Sequence, residues 1–164
     1  MSAAVLYEKD GPVVTITLNR PSARNALTPE MLCRVADAFI DFRDDDRLRV
    51  AILTGAGDIA FCAGGDLART LPLMTGARAA EDAWDRRVLD EPQVMAASSL
   101  RGFVLDKPVI AAYQEPADIR AAPEGIGVGT AIDDLVMLCG GDIHQHQRVP
   151  FDFGLHCVGR LERP

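Results

Sequence analysis

The chain predicts an α/β fold, a sheet covered by helices, and three stretches carry that prediction. Val13-Val14-Thr15-Ile16-Thr17-Leu18 alternates apolar and polar side chains, the pattern of a half-buried strand. Leu32, Val35, Ala36, Phe39 and Phe42 then recur at helical spacing and form one apolar face. Val50-Ala51-Ile52-Leu53 is apolar throughout, as a strand buried on both faces would be. Strand, helix and strand in that order imply a sheet with helical cover.

Gly11-Pro12 marks the start of the first strand, and Asn19-Arg20-Pro21-Ser22-Ala23-Arg24-Asn25 is polar and turn-rich, hence a loop. Thr28-Pro29-Glu30 opens a helix over residues 29–43. Thr28 can cap it, Pro29 suits its first turn, and Glu30 meets the positive end of the dipole. Asp44-Asp45-Asp46 ends the helix in solvent. A strand over residues 50–54 follows. Residues 67–103 read as helical with breaks at Gly76 and Pro92, anchored by Trp84, Val88, Leu89, Met95, Leu100 and Phe103. Lys107-Pro108 opens a third apolar strand, Val109-Ile110-Ala111-Ala112-Tyr113. Beyond Tyr113 the text turns polar, with Gly125, Gly127 and Gly129 in an open stretch and Ala131–Leu138 as a candidate short helix. The last two dozen residues show no clean period, and poor order is expected there.

At 164 residues the chain is long enough for one domain with a real core. Its 48% apolar and 25% charged residues are those of an ordinary globular protein. The net charge of −7 argues against a nucleic-acid surface or a polybasic membrane patch, and no run has the apolar length of a membrane span. Cys33, Cys62, Cys139 and Cys157 are scattered and read as reduced thiols, which with no recognisable leader predicts a cytoplasmic protein. His144 and His146 lie two apart, yet no orderly second pair joins them or His156, so no metal site is expected. Gly125–Gly129 lacks the Lys-Ser/Thr of a phosphate loop. Cys62 has no base near it in sequence and reads as a small buried thiol.

The most informative segment is Ala60-Phe61-Cys62-Ala63-Gly64-Gly65-Asp66-Leu67, directly after the apolar strand. Its side chains are small and its backbone loosely constrained, so successive N–H groups can be aimed at one point. Backbone donors arranged in this way stabilise an oxyanion without using a side chain.

Together with Val14–Pro21, Asn25-Ala26-Leu27, Val50–Gly55 and Lys107–Ala112, this segment resembles the crotonase superfamily, the enoyl-CoA hydratase/isomerase proteins. The resemblance covers roughly residues 5–113, read as a crotonase-like N-terminal core, with 114–164 a divergent tail. It implies a fold of repeated ββα turns, here a crotonase-like ββα spiral core that is incomplete and ends in an irregular C-terminal tail. It implies an acyl-CoA thioester as substrate, with coenzyme A part of that substrate and no separate cofactor. By position in the motif, Ala63 would supply the first oxyanion N–H. Gly64, Gly65 and Asp66 would line the CoA path, and Ala23, Arg24 and Ala26 would pack on its adenosine and pantetheine portions. Polarising the thioester carbonyl would stabilise an enolate. The family's homo-oligomer is expected by the same resemblance, with no nucleic-acid or membrane partner.

After Tyr113 the pattern departs from the family. Gln114-Glu115-Pro116 stands where an Asn-Gly turn is usual, and Gly125–Gly129 is displaced from the place of the glycine segment that supplies the second N–H. Asp133, Asp134 and Glu115 are the nearby carboxylates and read as solvated surface acids. The chain stops before the family's helical C-terminal portion, a pattern that truncation, a frame change or decay would each produce. Two readings stay open: a family enzyme, or a catalytically incompetent remnant that only binds CoA thioesters or joins intact homologues.

Overall fold

The computed structural model describes residues 3–112 and the backbone of residues 155–158. Five strands form one sheet in the order β1 (Val5–Asp10), β2 (Val13–Leu18), β3 (Val50–Gly55), β4 (Val109–Ala112) and β5 (Leu155–Val158). The pairs β1–β2 and β4–β5 are antiparallel, while β2–β3 and β3–β4 are parallel. The helices are α1 (Pro29–Asp44), α2 (Thr70–Met74), α3 (Ala83–Asp90) and α4 (Pro92–Ser99). A 3₁₀ turn, Pro21–Ala23, follows β2.

The three strands and the helix read from the sequence stand where expected. In β2 the side chains of Val14, Ile16 and Leu18 are buried, and the alternation is complete. They meet Met31, Val35, Ala38, Phe39 and Phe42 of α1 in the main core, with Ala51 and Leu53 of β3. Strand β3 differs from its expectation. Val50, Ile52 and Thr54, which alternate to the opposite face, are half-buried, so cover is complete on the α1 side alone.

Helix α1 has two buried faces. Leu32, Cys33 and Ala36 turn away from the sheet and pack with Leu73, Val88, Val94 and Ala97 of the other helices. The architecture is therefore a sheet, then α1, then a layer of short helices. Leu89, expected as an anchor, is half exposed; its neighbour Val88 lies one helical turn from Trp84 and takes the inward position. The break expected at Pro92 is present: α3 ends at Asp90, and Pro92 opens α4, where its missing N–H costs nothing. Gly76, at φ +74°, lies just beyond the end of α2.

Strand β1 has no clean alternation in Val5-Leu6-Tyr7-Glu8-Lys9-Asp10 and is visible only as the antiparallel partner of β2. Strand β5 falls in the segment expected to lack regular structure, and its backbone closes the other side of β4. The candidate helix 131–138, the glycine stretch 125–129 and the paired histidines lie outside the described residues. Cys33 and Cys62 are free thiols, both buried. Among the described residues no helix is long and apolar enough to cross a membrane.

Buried helices need partners for their terminal carbonyls. Lys107, just before β4, donates from Nζ to Phe42 O and Asp45 O, both at 2.8 Å, and so closes the negative end of α1. Replacing it by methionine keeps most of the stem and removes both charged bonds. Lys107→Met should lower stability by about 1–3 kcal/mol, read as a shifted urea midpoint at unchanged slope.

The link from α2 to α3 has an ionic centre. Asp85 is fully buried and takes a two-pronged ion pair from Arg78, with the Glu81 N–H at 2.9 Å. The Arg78 bonds first, aided by that N–H and by the charges of Arg78 and Arg69, overcome burial and hold the carboxyl near pKa 2. A depressed pKa gives stability that is full above the unfolded value and lost as pH falls through the folded one. Wild-type stability should therefore decline from about pH 4 to about pH 2 in part through this group. In Asp85→Asn that part of the decline should vanish on top of a lower plateau, measured by chemical unfolding across pH.

Candidate active site

Two loops meet at the ends of β2 and β3, and all the residues singled out in the glycine-rich motif and the Ala23–Ala26 loop lie on them. The stretch Ala63–Asp66 runs beside Arg24–Leu27 in a short ladder of backbone bonds that contains one isolated parallel bridge, Leu27 with Gly65. Ala63 N–H donates to Arg24 O at 3.0 Å, Leu27 N–H to Gly64 O at 2.8 Å and Asp66 N–H to Leu27 O at 2.9 Å. Ala23 and Ala26 share the adjoining tight turn, where Ala26 N–H donates to Ala23 O at 3.0 Å.

This ladder sorts the amides of the motif. Gly64, at φ +85°, breaks the extended run, so the amides on its two sides do not simply alternate, and each is sorted by its own partner. The Ala63 N–H, expected as the presented donor, is engaged by the Arg24 carbonyl, and Asp66 N–H is engaged by Leu27. Gly64 N–H points to Cys62 Sγ at 3.3 Å, a weak acceptor. Gly65 N–H makes no hydrogen bond among the described residues, and Gly65 is exposed. Sequence reading placed Gly65 on the substrate path but not as the outward amide. Its pairing opposite Leu27, after the left-handed turn at Gly64, is what turns it outward.

The two glycines serve different needs. Gly64 sits at φ +85°, where a side chain would be strained. A Cβ on Gly65 would meet only Thr70 Cγ2 at 3.8 Å, so its requirement is not steric.

Asp66, expected to line a ligand path, has its carboxylate turned inward. Oδ1 accepts the N–H groups of Ala68 and Arg69 at 2.9 Å each, and Oδ2 is ion-paired with Arg20. Burial opposes its ionisation, but the Arg20 guanidinium and those N–H groups outweigh it and hold the carboxyl below its usual range. Its second role in the motif, opening the turn into α2, is the one the geometry displays: Thr70 N–H and Leu71 N–H both donate to Asp66 O. Cys62 is buried, and burial raises its thiol pKa against the lowering effect of Gly64 N–H. It is a packing residue rather than a thiolate.

Arg20 and Asn25 were not placed in the site from sequence, although both stand in the motif. Arg20 also donates to Ala26 O at 3.2 Å, tying the two loops at the Asp66 end. Asn25 ties them at the other end, through Ala56 O at 3.0 Å and Ala60 O at 2.8 Å. The Arg24 guanidinium is exposed and has no ion-pair partner among the described residues. Asp133, Asp134 and Glu115 lie outside the described residues.

The family profile for enoyl-CoA hydratase/isomerase matches residues 8–114, the span that holds both loops. Among curated relatives, enoyl-CoA hydratase EchA19 of Mycobacterium tuberculosis is 32% identical over 89% of this chain and 57% of its own length. Carnitinyl-CoA dehydratase of Salmonella arizonae is 48% identical over 41% of this chain and 25% of its own. The chain thus spans little more than half of the first relative. Among solved structures, EchA1_1 of Mycobacterium paratuberculosis is 35% identical, with a TM-score of 0.52 over 70% of this chain and 40% of that one. Carnitinyl-CoA hydratase of Mycobacterium avium is 30% identical, with a TM-score of 0.52 over 69% and 39%. A profile match across most of the described residues, with the two-loop ladder at its centre, establishes that this chain belongs to the enoyl-CoA hydratase/isomerase family.

Proposed function

We propose that this chain binds an acyl-CoA thioester and polarises its carbonyl through the backbone of the Cys62–Asp66 loop. The observation that carries the reading is Gly65 N–H, exposed and without an acceptor among the described residues, in the loop that holds the family motif. An outward amide held by a fixed ladder is a preorganised donor, and it stabilises an enolate oxygen more than the ground-state carbonyl. Gly65 takes the donor role first assigned to Ala63, because Ala63 N–H is engaged by Arg24 O at 3.0 Å. Ala63 instead forms the first rung of the ladder, and Asp66 holds its last turn. Gly64, Ala23 and Ala26 present small surfaces along the same strip, which suits the close approach of a pantetheine chain. Arg24 supplies a charged donor for the CoA phosphates.

A second reading, binding without turnover, is favoured by one observation. Asp66, the only carboxylate within the motif itself, has both oxygens engaged. Hydration of an enoyl thioester requires a group to activate water and one to protonate the α-carbon. The ladder supports thioester polarisation by itself and leaves the later bond changes to residues beyond it.

Two substitutions separate these roles. Gly65→Pro deletes the outward N–H, whereas Gly65→Ala keeps it in space that accepts a Cβ. Crotonyl-CoA carrying 13C at the carbonyl should show a downfield carbonyl shift on binding wild type and Gly65→Ala, and little with Gly65→Pro. Any enoyl hydration by wild type, followed as loss of thioester absorbance, should fall by ~10²–10³ in Gly65→Pro. An unchanged carbonyl shift in that variant would remove Gly65 from the role.

For Arg24→Gln, affinity for crotonyl-CoA should drop about tenfold by calorimetry. Affinity for crotonyl-pantetheine, which lacks the nucleotide phosphates, should not change. Equal losses for both ligands would place Arg24 elsewhere.

A further inference from the structure

We infer that Asn25 is a positioning residue that sets the register of the two-loop ladder and thereby decides which amide faces outward. The inference rests on the reading of Gly65 as the presented donor, but its geometry is independent of any ligand. Asn25 is fully buried, and its side chain bonds only to backbone. Nδ2 donates to Ala56 O and Ala60 O at 3.0 and 2.8 Å, and Oδ1 accepts Arg20 N–H at 2.9 Å. One amide group thus fixes the loop after β2 to the turn after β3, three residues before the first rung at Ala63.

The consequence lies in which amide of the motif meets Leu27 O. With Ala60 held on Asn25, Leu27 O receives the N–H of Asp66 and Gly65 N–H points away. A slip of one residue would hand Leu27 O the N–H of Gly65 and consume the outward donor. The joint has no slack in which to slip. A Cβ built on Gly55 would stand 2.3 Å from Phe61 O and 2.7 Å from Asn25 Nδ2, so strand end, turn and amide are already in close contact. Backbone conformation narrows the choice of residue further. Arg24 and Asn25 take φ +51° and +55°, which aims the Arg24 carbonyl at Ala63, and asparagine is the amide side chain that tolerates this region best. Arg20, at the far end, ties Ala26 O to Asp66, and among the described residues its guanidinium makes no hydrogen bond to the motif before Asp66. Register is therefore set at the Asn25 end.

Amide hydrogen exchange on the 15N-labelled full chain tests this. In wild type the Ala63 and Asp66 amides should be protected and Gly65 should exchange rapidly. Asn25→Gly keeps the left-handed backbone and removes all three side-chain bonds. Asn25→Asp keeps the shape and the acceptor and removes the two donated bonds. In either variant that folds, Ala63 protection should fall about tenfold relative to the amides of Ile16 and Phe39. A uniform fall of Ala63, Ile16 and Phe39 together would reduce Asn25 to a general stabiliser and overturn the inference, as would a protected Gly65 amide in wild type. A wild type that shows the expected exchange pattern but leaves the crotonyl-CoA carbonyl unshifted overturns the thioester reading while the register role stands.

Discussion

Burial of α1 on two sides is the constraint on which the rest of this structure depends. Parallel pairing of β2 with β3 requires an overhead connection, and α1 provides it. Phe39 and Phe42 fill the space above the sheet, while Cys33 and Ala36 offer small surfaces to the outer helices. The capping groups of α1 come from both neighbouring segments. Thr28 Oγ1 accepts Met31 N–H at 3.3 Å at one end, and Lys107 closes the other from 62 residues beyond Asp45. Because Lys107 lies two residues before β4, the charge that satisfies α1 also holds the start of the fourth strand near the end of that helix.

The functional strip follows from where those strands end. Strands β2 and β3 are parallel, so the loops that leave them emerge on the same side and can lie against each other. The ladder between Arg24–Leu27 and Ala63–Asp66 is short, and a side chain closes it at each end: Asn25 bonds across the gap to Ala60 O, and Arg20 pairs across it with the Asp66 carboxylate. Small residues in Cys62–Gly65 let the two backbones approach. The polar side chains of the motif thus serve the backbone, and the backbone is the part offered to solvent. This division suits an electrostatic role, since fixed dipoles need no rearrangement when charge develops nearby.

Composition and periodicity were sufficient for the elements whose signals are local. Alternation in Val13–Leu18, the Thr28-Pro29-Glu30 start and the apolar spacing of α1 are properties of neighbouring residues, and each was legible. Strand β1 was not, because half its side chains face solvent at the sheet edge and its pattern is set by its partner. Leu89 was misjudged for a related reason: Val88 and Leu89 are equally apolar, and the position of Trp84 and α1 selects between them.

The sequence by itself determined the family motifs, the main strand–helix–strand unit and the two loops that come together. Those depend on side-chain chemistry at fixed spacing. Only the tertiary structure decided what each group in those loops faces. Ala63 and Gly65 both carry an N–H on small, flexible backbone, and nothing in their identity distinguishes them. Pairing with Arg24 and Leu27 engages one and leaves the other exposed. Asp66 likewise reads as an available carboxylate until Arg20, 46 residues away, is seen to hold it. A hydrogen bond between distant backbones is set by register, and register is a property of two segments at once.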